Sequence, residues 1–231
     1  MSIIAENLDK VRLQLADSAR HCQRQPEEIT LLAVSKTRPA EDIRAAYAVG
    51  QCDFGENYLQ EALEKIHQLH DLNICWHFIG PLQSNKTRPV AEHFHWLHTV
   101  DRLKIGQRLS KQRPEGMPPL NICIQVNISD EASKAGCNPE ELPELVSALS
   151  GLPNIRVRGL MAIPKATDDS NEQAAAFKRM NSLLLELQAA HPQLDTLSMG
   201  MSGDMQPAIE QGSTIVRIGT AIFGARPARP A

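Results

Sequence analysis

No sign of charge dominates this chain of 231 residues: 24 Lys and Arg stand against 27 Asp and Glu, a net charge of −3. That balance gives no basic field to grip nucleic acid and no acidic, solvating tail. Long apolar runs are missing as well. Even the leucine-rich stretch from Leu183 to Leu187 falls far short of the roughly 18 residues a membrane helix needs. Residues 1–20 carry charges throughout (Glu6, Asp9, Lys10, Arg12, Asp17) and lack an apolar segment of signal-peptide type, so no secretory signal is expected. Close CxxC pairs are absent. Five cysteines, an odd number, argue against a disulfide framework and fit a reducing cytoplasm.

What remains is an ordinary globular composition, 42% hydrophobic and 22% charged, with room for one or two domains. One pattern recurs along it. A short β-branched or apolar run ends in Gly, Asn, Asp or Ser, and a longer amphipathic stretch follows. The predicted strands cover residues 30–36, 52–55, 75–80, 96–100, 120–127, 157–163, 196–201 and 214–218. The intervening helices include one after Asp101, read as its N-cap, and one over 170–190 with Ala174, Phe177, Met180 and Leu184 at helical spacing. Each strand reads as a buried run rather than a half-exposed alternation, which a parallel sheet covered by helices requires. Eight such units fit a single closed (β/α)8 TIM barrel. An open doubly wound sheet usually carries a Gly-rich phosphate fingerprint after its first strand, and Ser35-Lys36-Thr37-Arg38-Pro39 is none. Residues 1–24 are read as an additional N-terminal helix, with Ile4, Leu8, Val11 and Leu15 on the face packed against the barrel. The barrel itself takes residues 25–224, and 225–231 are expected to form a mobile tail.

Functional groups of such barrels sit where strands end. The first strand ends at Lys36, which shares a face with Val34, Leu32 and Thr30. If that face points inward, the amine stands over an apolar floor, where desolvation favours the neutral form that attacks an aldehyde. A lone lysine can equally terminate a strand and reach solvent. On the opposite seam, Ser202 and Gly203 follow strand seven, and Arg217, Gly219 and Thr220 lie in or just after strand eight. A hydroxyl, close backbone N–H groups and a fixed cation at that position suit a phosphate, although tight turns and helix caps use the same residues. Strands one and eight of a closed barrel are neighbours. An amine beside a phosphate cradle suits pyridoxal 5′-phosphate, and it suits a class I aldolase of phosphosugars equally.

The sequence closely resembles the YggS-type family of pyridoxal-phosphate homeostasis proteins over essentially its whole length. Its most specific stretch runs from Trp76 to Lys86 (WHFIGPLQSNK), supported by LLAVSK at 31–36, FGENY at 54–58, GLMAI at 159–163, SMGMS at 198–202 and VRIGTAIFGAR at 216–226. The resemblance implies a barrel similar to the N-terminal domain of alanine racemase, with pyridoxal 5′-phosphate held as an imine (Schiff base) on Lys36. It also implies Ser202, Gly219 and Thr220 around the phosphate, Arg217 facing the pyridine nitrogen and Asn57 bordering the cofactor. Gly203 stands where the family tolerates varied residues. The implied role is control of intracellular vitamin B6 supply without established turnover, in a cytoplasmic monomer that passes the cofactor transiently to apoenzymes.

A low-activity amino-acid racemase is the alternative. An arginine opposite the pyridine nitrogen leaves that nitrogen unprotonated and weakens the ring as an electron sink, so racemisation leans on well-placed bases. The chain has only Tyr47 and Tyr58 to offer as a tyrosine base. Tyr47 is expected in mid-helix, and Tyr58 is expected to be a packed first-turn residue. No residue is assigned a catalytic role. Lys134, in the polar loop after strand five, could overhang the mouth and steer the phosphate or form a second imine, though a solvated loop charge is the simpler reading. No metal is expected: His93, His95 and His98 do not converge by spacing and have no obvious carboxylate or cysteine partner. Cys52, Cys75 and Cys123 read as small buried hydrophobes, and His67 and His70 as a solvated pair on one helix face.

Overall fold

A computed structural model describes residues 2–129, 135–165, 167 and 169–225. Lys134 and residues 226–231, on which two of the expectations above fall, lie outside them. The strands β1 (Thr30–Val34), β2 (Asp53–Glu56), β3 (Cys75–Phe78), β4 (Trp96–Val100), β5 (Leu120–Gln125), β6 (Ile155–Met161), β7 (Thr196–Ser198) and β8 (Ile215–Ile218) pair in sequence order into a closed parallel barrel. Helices α2 (Ala40–Tyr47), α3 (Leu59–Gln68), α4 (Thr87–His93), α5 (Leu103–Gln112), α6 (Leu142–Ser150), α7 (Ser170–Gln188), α8 (Met205–Glu210) and α9 (Thr220–Phe223) follow the strands in turn. Among the described residues no helix is long and apolar enough to cross a membrane.

Alternation along each strand sends successive side chains to opposite faces. Ala33, Phe54, Trp76, Phe78 and Leu97 belong to the large core between strands and helices. Leu32 and Val34 instead join Ile79, Ile215 and Trp96 in a small separate cluster within the barrel. Lys36 follows two residues beyond this row, in the turn after β1.

Helix α1 (Ile3–His21) starts at Ser2, whose side chain accepts the Ala5 N–H at 3.3 Å. It buries Ile4, Leu8, Val11, Leu15 and Ala19 against α2, α8 and α9, the helices that flank the β1–β8 seam. Polar ties reinforce this strap. Asn7 donates to the Ile222 carbonyl at 3.0 Å, and Arg12 to the Val49 carbonyl at 2.9 Å. Below the helix, Arg24 reaches the carbonyls of Ile209 and Ser213.

Three local expectations are corrected. Arg102, not Asp101, occupies the N-cap of α5, because the Asp101 carboxylate is taken by the Arg102 guanidinium at 2.6 Å and makes no bond to the helix N–H groups. Cys52 precedes β2 and is exposed, and Cys75 is only half-buried, so of the three cysteines read as buried only Cys123 is. Tyr47 ends α2 rather than lying inside it, and its hydroxyl accepts the Asn73 N–H at 3.3 Å.

A Cβ on Gly159 of β6 would lie 1.8 Å from the Thr196 carbonyl oxygen of β7, and backbone cannot yield as a flexible side chain can. Gly159→Ala is expected to cost about 1–3 kcal/mol, the usual range for overpacking, seen as a lower urea midpoint with an unchanged m-value.

Candidate functional site

Lys36 stands half-buried in the turn after β1 and, with Val34, Arg38, Gly219, Thr220, Phe223 and Gly224, lines a cavity of about 30 Å³. Barrel closure makes this possible, since Ala33 of β1 is in register with Ile218 of β8. Gly219 packs closely here: a Cβ on it would sit 3.1 Å from the Val34 carbonyl oxygen. Thr220 and Ala221 open α9, so their N–H groups have no partner within that helix. Arg38 donates to the carbonyls of Gly224 and Ala225 and so holds the end of the described chain beside the cavity. Two polar atoms at this rim, Thr37 Oγ1 and Asn57 Oδ1, are buried without a hydrogen-bond partner. Asn57 directly follows β2, and its carbonyl presses on Gly80, where a Cβ would come within 2.0 Å.

The turn carrying Lys36 is held from beneath. Thr37 takes φ 63°, an uncommon conformation for a β-branched residue, and its N–H donates to Glu61 Oε1 at 2.6 Å. Buried Lys65 of α3 donates to the Ser35 carbonyl at 2.7 Å, to Glu56 Oε1 at 2.8 Å and to Glu61 Oε1. Ser35 Oγ adds a 2.6 Å bond to the same Glu56 oxygen. Burial pushes the Glu56 carboxyl upward, and Lys65 and Ser35 only partly offset it. Neither Lys65 nor Arg38 was singled out from the sequence. The one available signal was the Glu61–Lys65 spacing of four residues on a helix, which usually marks a solvated pair.

Arg217 lies buried inside the barrel, its Nη atoms donating to the Ser198 carbonyl and Oγ and to the Ala162 carbonyl at 2.6–2.9 Å. Its Nε–H makes no hydrogen bond among the described residues. Burial pushes its pKa down to about 10, which still leaves it a cation at neutral pH. Ser202 and Gly203 are not in the Lys36 cavity. They are exposed and line a larger cavity of about 560 Å³ between α1 and α8, with Gln14, Ser18 and His21. The Asp204 carboxylate takes the Met201 N–H and closes the 201–204 segment into a turn against α8. Size alone would favour the larger cavity, but it contains no lysine and no buried cation. Tyr58 caps α3 and is exposed.

A polar chain that sequence reasoning did not assemble crosses the barrel interior. Ser198 Oγ lies 2.8 Å from His98 Nδ1, His98 Nε2 lies 2.9 Å from His77 Nδ1, and His77 Nε2 lies 3.1 Å from Asp53 Oδ1. The His77 ring stacks on Trp96, 5.5 Å between centroids and 4° from parallel, and the Arg158 guanidinium covers the same indole at 4.9 Å. Burial drives both histidines toward the neutral form, His98 strongly; in His77 the Asp53 carboxylate opposes it. Burial raises the Asp53 carboxyl, yet the hydrogen bonds from His77 and Cys75 outweigh it and leave it lowered.

Fold and site together define a single-barrel protein with a rim lysine at the end of its first strand and N–H donors after its last. The family model for the alanine racemase N-terminal domain matches residues 7–227. The chain is 61% identical over 226 residues to the pyridoxal phosphate homeostasis protein of Pseudomonas aeruginosa, covering 98% of this chain and 97% of that one. To the Escherichia coli protein of the same name it is 55% identical over 229 residues, with 98% of each covered. The solved structure of PipY from Synechococcus elongatus with PLP bound has a TM-score of 0.83 at 40% identity, covering 96% of this chain and all (100%) of that one. The chain belongs to the alanine racemase N-terminal domain family and, within it, to the pyridoxal phosphate homeostasis proteins. Alanine racemase of Corynebacterium glutamicum, at 18% identity and a TM-score of 0.67, shares the fold.

Removing one partner of a buried ion pair strands the other. Lys65→Met is expected to cost about 3–5 kcal/mol in denaturant unfolding, and Glu56→Gln added to it to recover part of that loss. Since the folded pKa of His98 lies well below its ordinary 6.5, its contribution is intact above pH 6.5 and is lost as pH falls below it. As pH falls below 6.5 the unfolding free energy is expected to fall with it, the slope from His98 steepening toward a limit of about 1.4 kcal/mol per pH unit as the unfolded side chain becomes fully protonated. The fall should be shallower in His98→Gln.

Proposed function

We propose that Lys36 and the β8–α9 junction at the barrel rim bind pyridoxal 5′-phosphate and that the chain serves its homeostasis as a carrier or regulator rather than by catalytic turnover. One observation carries this reading: a half-buried lysine, Lys36, shares a cavity wall with Gly219 and Thr220 at the β8–α9 junction. The names of the Pseudomonas aeruginosa and Escherichia coli relatives and the PLP-bound PipY structure support it. When bound, the cofactor supplies an aldehyde that a lysine amine captures reversibly and a phosphate that seeks N–H donors and cations.

Lys36 is the nucleophile of this reading, and the Glu56–Lys65–Glu61 knot keeps its turn in place. The N–H groups of Gly219 and Thr220 hold the phosphate, with the Arg38 guanidinium on the same wall. Ser202 and Gly203 are assigned to the phosphate as well, and they join it by an inward turn of the 201–204 segment that Asp204 now ties to α8. The buried oxygens of Asn57 and Thr37 gain the partners they lack. Arg217, clamped by Ser198 and Ala162, is assigned to the ring nitrogen as a fixed donor that does not give up its proton.

Turnover of an amino acid needs bases on both faces of the substrate. Tyr47 is engaged with Asn73, Tyr58 is exposed, and His77 and His98 are bonded to each other inside the barrel. A protein that binds and releases the cofactor needs only the lysine and the cradle. We place it in the cytoplasm, where its five free thiols are stable, as a monomer meeting PLP-dependent apoenzymes transiently.

Incubation with pyridoxal 5′-phosphate is expected to give a visible absorption band. Borohydride should fix the cofactor mass on the peptide containing Lys36, and Lys36→Ala should lose both signals. A charged-group hydrogen bond of about 1.5 kcal/mol or more sets the scale for the cradle, so Thr220→Pro, which removes the N–H, should raise Kd at least about tenfold. Steady α-carbon exchange of single L-amino acids in deuterated water would favour the racemase reading; none above the Lys36→Ala background is expected.

A further inference from the structure

The end of the barrel opposite Lys36 contains a second constellation. Asp53 and Cys75 are the first residues of β2 and β3 and stand in register, and His77 follows two residues along the same strand face. Their donor atoms lie within 4.8 Å of one another: Asp53 Oδ1 is 3.1 Å from His77 Nε2, and Cys75 Sγ is 3.3 Å from the same nitrogen. Ordinary zinc bonds to oxygen, nitrogen and sulfur in tetrahedral array put such atoms roughly 3.3 and 3.6 Å apart, so both distances to His77 Nε2 lie within a few tenths of an ångström of a coordination shell. His77 is buried, while Asp53 and Cys75 are half-exposed and leave a way in.

We propose that Asp53, Cys75 and His77 form a three-ligand site for a zinc-class divalent cation at the foot of the barrel, with water in the fourth position. An oxygen, a nitrogen and a sulfur donor suit a borderline-soft cation better than calcium or magnesium, which take oxygen. On binding, the Cys75 thiol releases its proton to solvent and coordinates as thiolate, Asp53 coordinates as the carboxylate it already is, and His77 coordinates through the Nε2 lone pair. That last bond puts the His77 proton on Nδ1, which donates it to His98 Nε2, and so fixes the ring as the outer partner of a ligating histidine does. The His98 proton must then lie on Nδ1 and point at Ser198 Oγ, the atom that also accepts from Arg217. Without metal the opposite order satisfies every atom: Ser198 O–H to His98 Nδ1, His98 Nε2–H to His77 Nδ1, and His77 Nε2–H to Asp53. The cation at the foot thereby sets the direction of a hydrogen-bond chain that ends at Arg217. The site is independent of the cofactor reading.

Cobalt titration of the full-length chain tests it, because a cobalt–thiolate bond absorbs in the near ultraviolet. One equivalent with that band is expected, displaced by zinc. The band should be lost in Cys75→Ser, binding should weaken at least tenfold in Asp53→Asn, and Cys52→Ser should leave the signal unchanged. No bound equivalent, a band that survives Cys75→Ser, or one lost in Cys52→Ser overturns the site. Nitrogen-15 NMR of the histidines in the unaltered protein decides the matter if a variant fails to fold. Zinc should move the His98 proton from Nε2 to Nδ1, and an unchanged His98 tautomer at saturating zinc overturns it.

Discussion

Four register pairs join β1 to β8, from Thr30 with Ile215 to Ala33 with Ile218, and they bring together two stretches of chain about 180 residues apart. The rim cavity depends on that seam: Lys36 leaves one strand and Gly219 the other, and the glycine packs on the Val34 carbonyl because no side chain intervenes. The seam is covered from outside by α1, whose apolar face bridges α2, α8 and α9 and whose flanking Asn7, Arg12 and Arg24 bond to carbonyls on both sides.

Within the barrel, polar groups occupy positions that shape alone would give to leucine or valine. Arg217, Ser198, His98, His77 and Asp53 form one chain, each satisfied by the next. A buried network of this kind is costly when broken at one point, because a stranded polar atom loses its water and gains nothing. It also gives the interior a direction. Burial favours the neutral form of both histidines, a neutral ring can carry its proton on either nitrogen, and the choice at one ring constrains its neighbour. The apolar patch of Leu32, Val34, Ile79 and Ile215 borders this chain at Arg217, whose register partner on β1 is Leu32.

The turn at 35–37 shows a third device. A left-handed threonine needs outside support, and here it comes from a carboxylate on α3 that a buried lysine ties to Glu56 and to the Ser35 carbonyl. Helix, two strand ends and turn are thereby joined at one ammonium group. Rigid support of this kind fixes the backbone on either side of Lys36.

Much of the fold was legible in the residues themselves. Eight buried runs with helical stretches between them specify a parallel barrel, the first run ends just before Lys36, and a short apolar stripe on residues 3–22 marks the strap helix. The strand runs and the helix stripe are local, so hydrophobic periodicity carries them; Lys36 lies in the turn beyond β1, where periodicity no longer fixes a direction. Boundaries were less legible, as at Asp101, where a neighbouring guanidinium claimed the capping carboxylate. Tertiary structure alone decided which distant polar residues meet. Nothing in spacing connects Lys65 with Ser35, His98 with His77, or Cys75 with Asp53, because pairing register and strand tilt set those distances. It also decided that Ser202 faces α1 and α8 while Gly219 faces Lys36, since one carboxylate, Asp204, determines how the 201–204 turn closes.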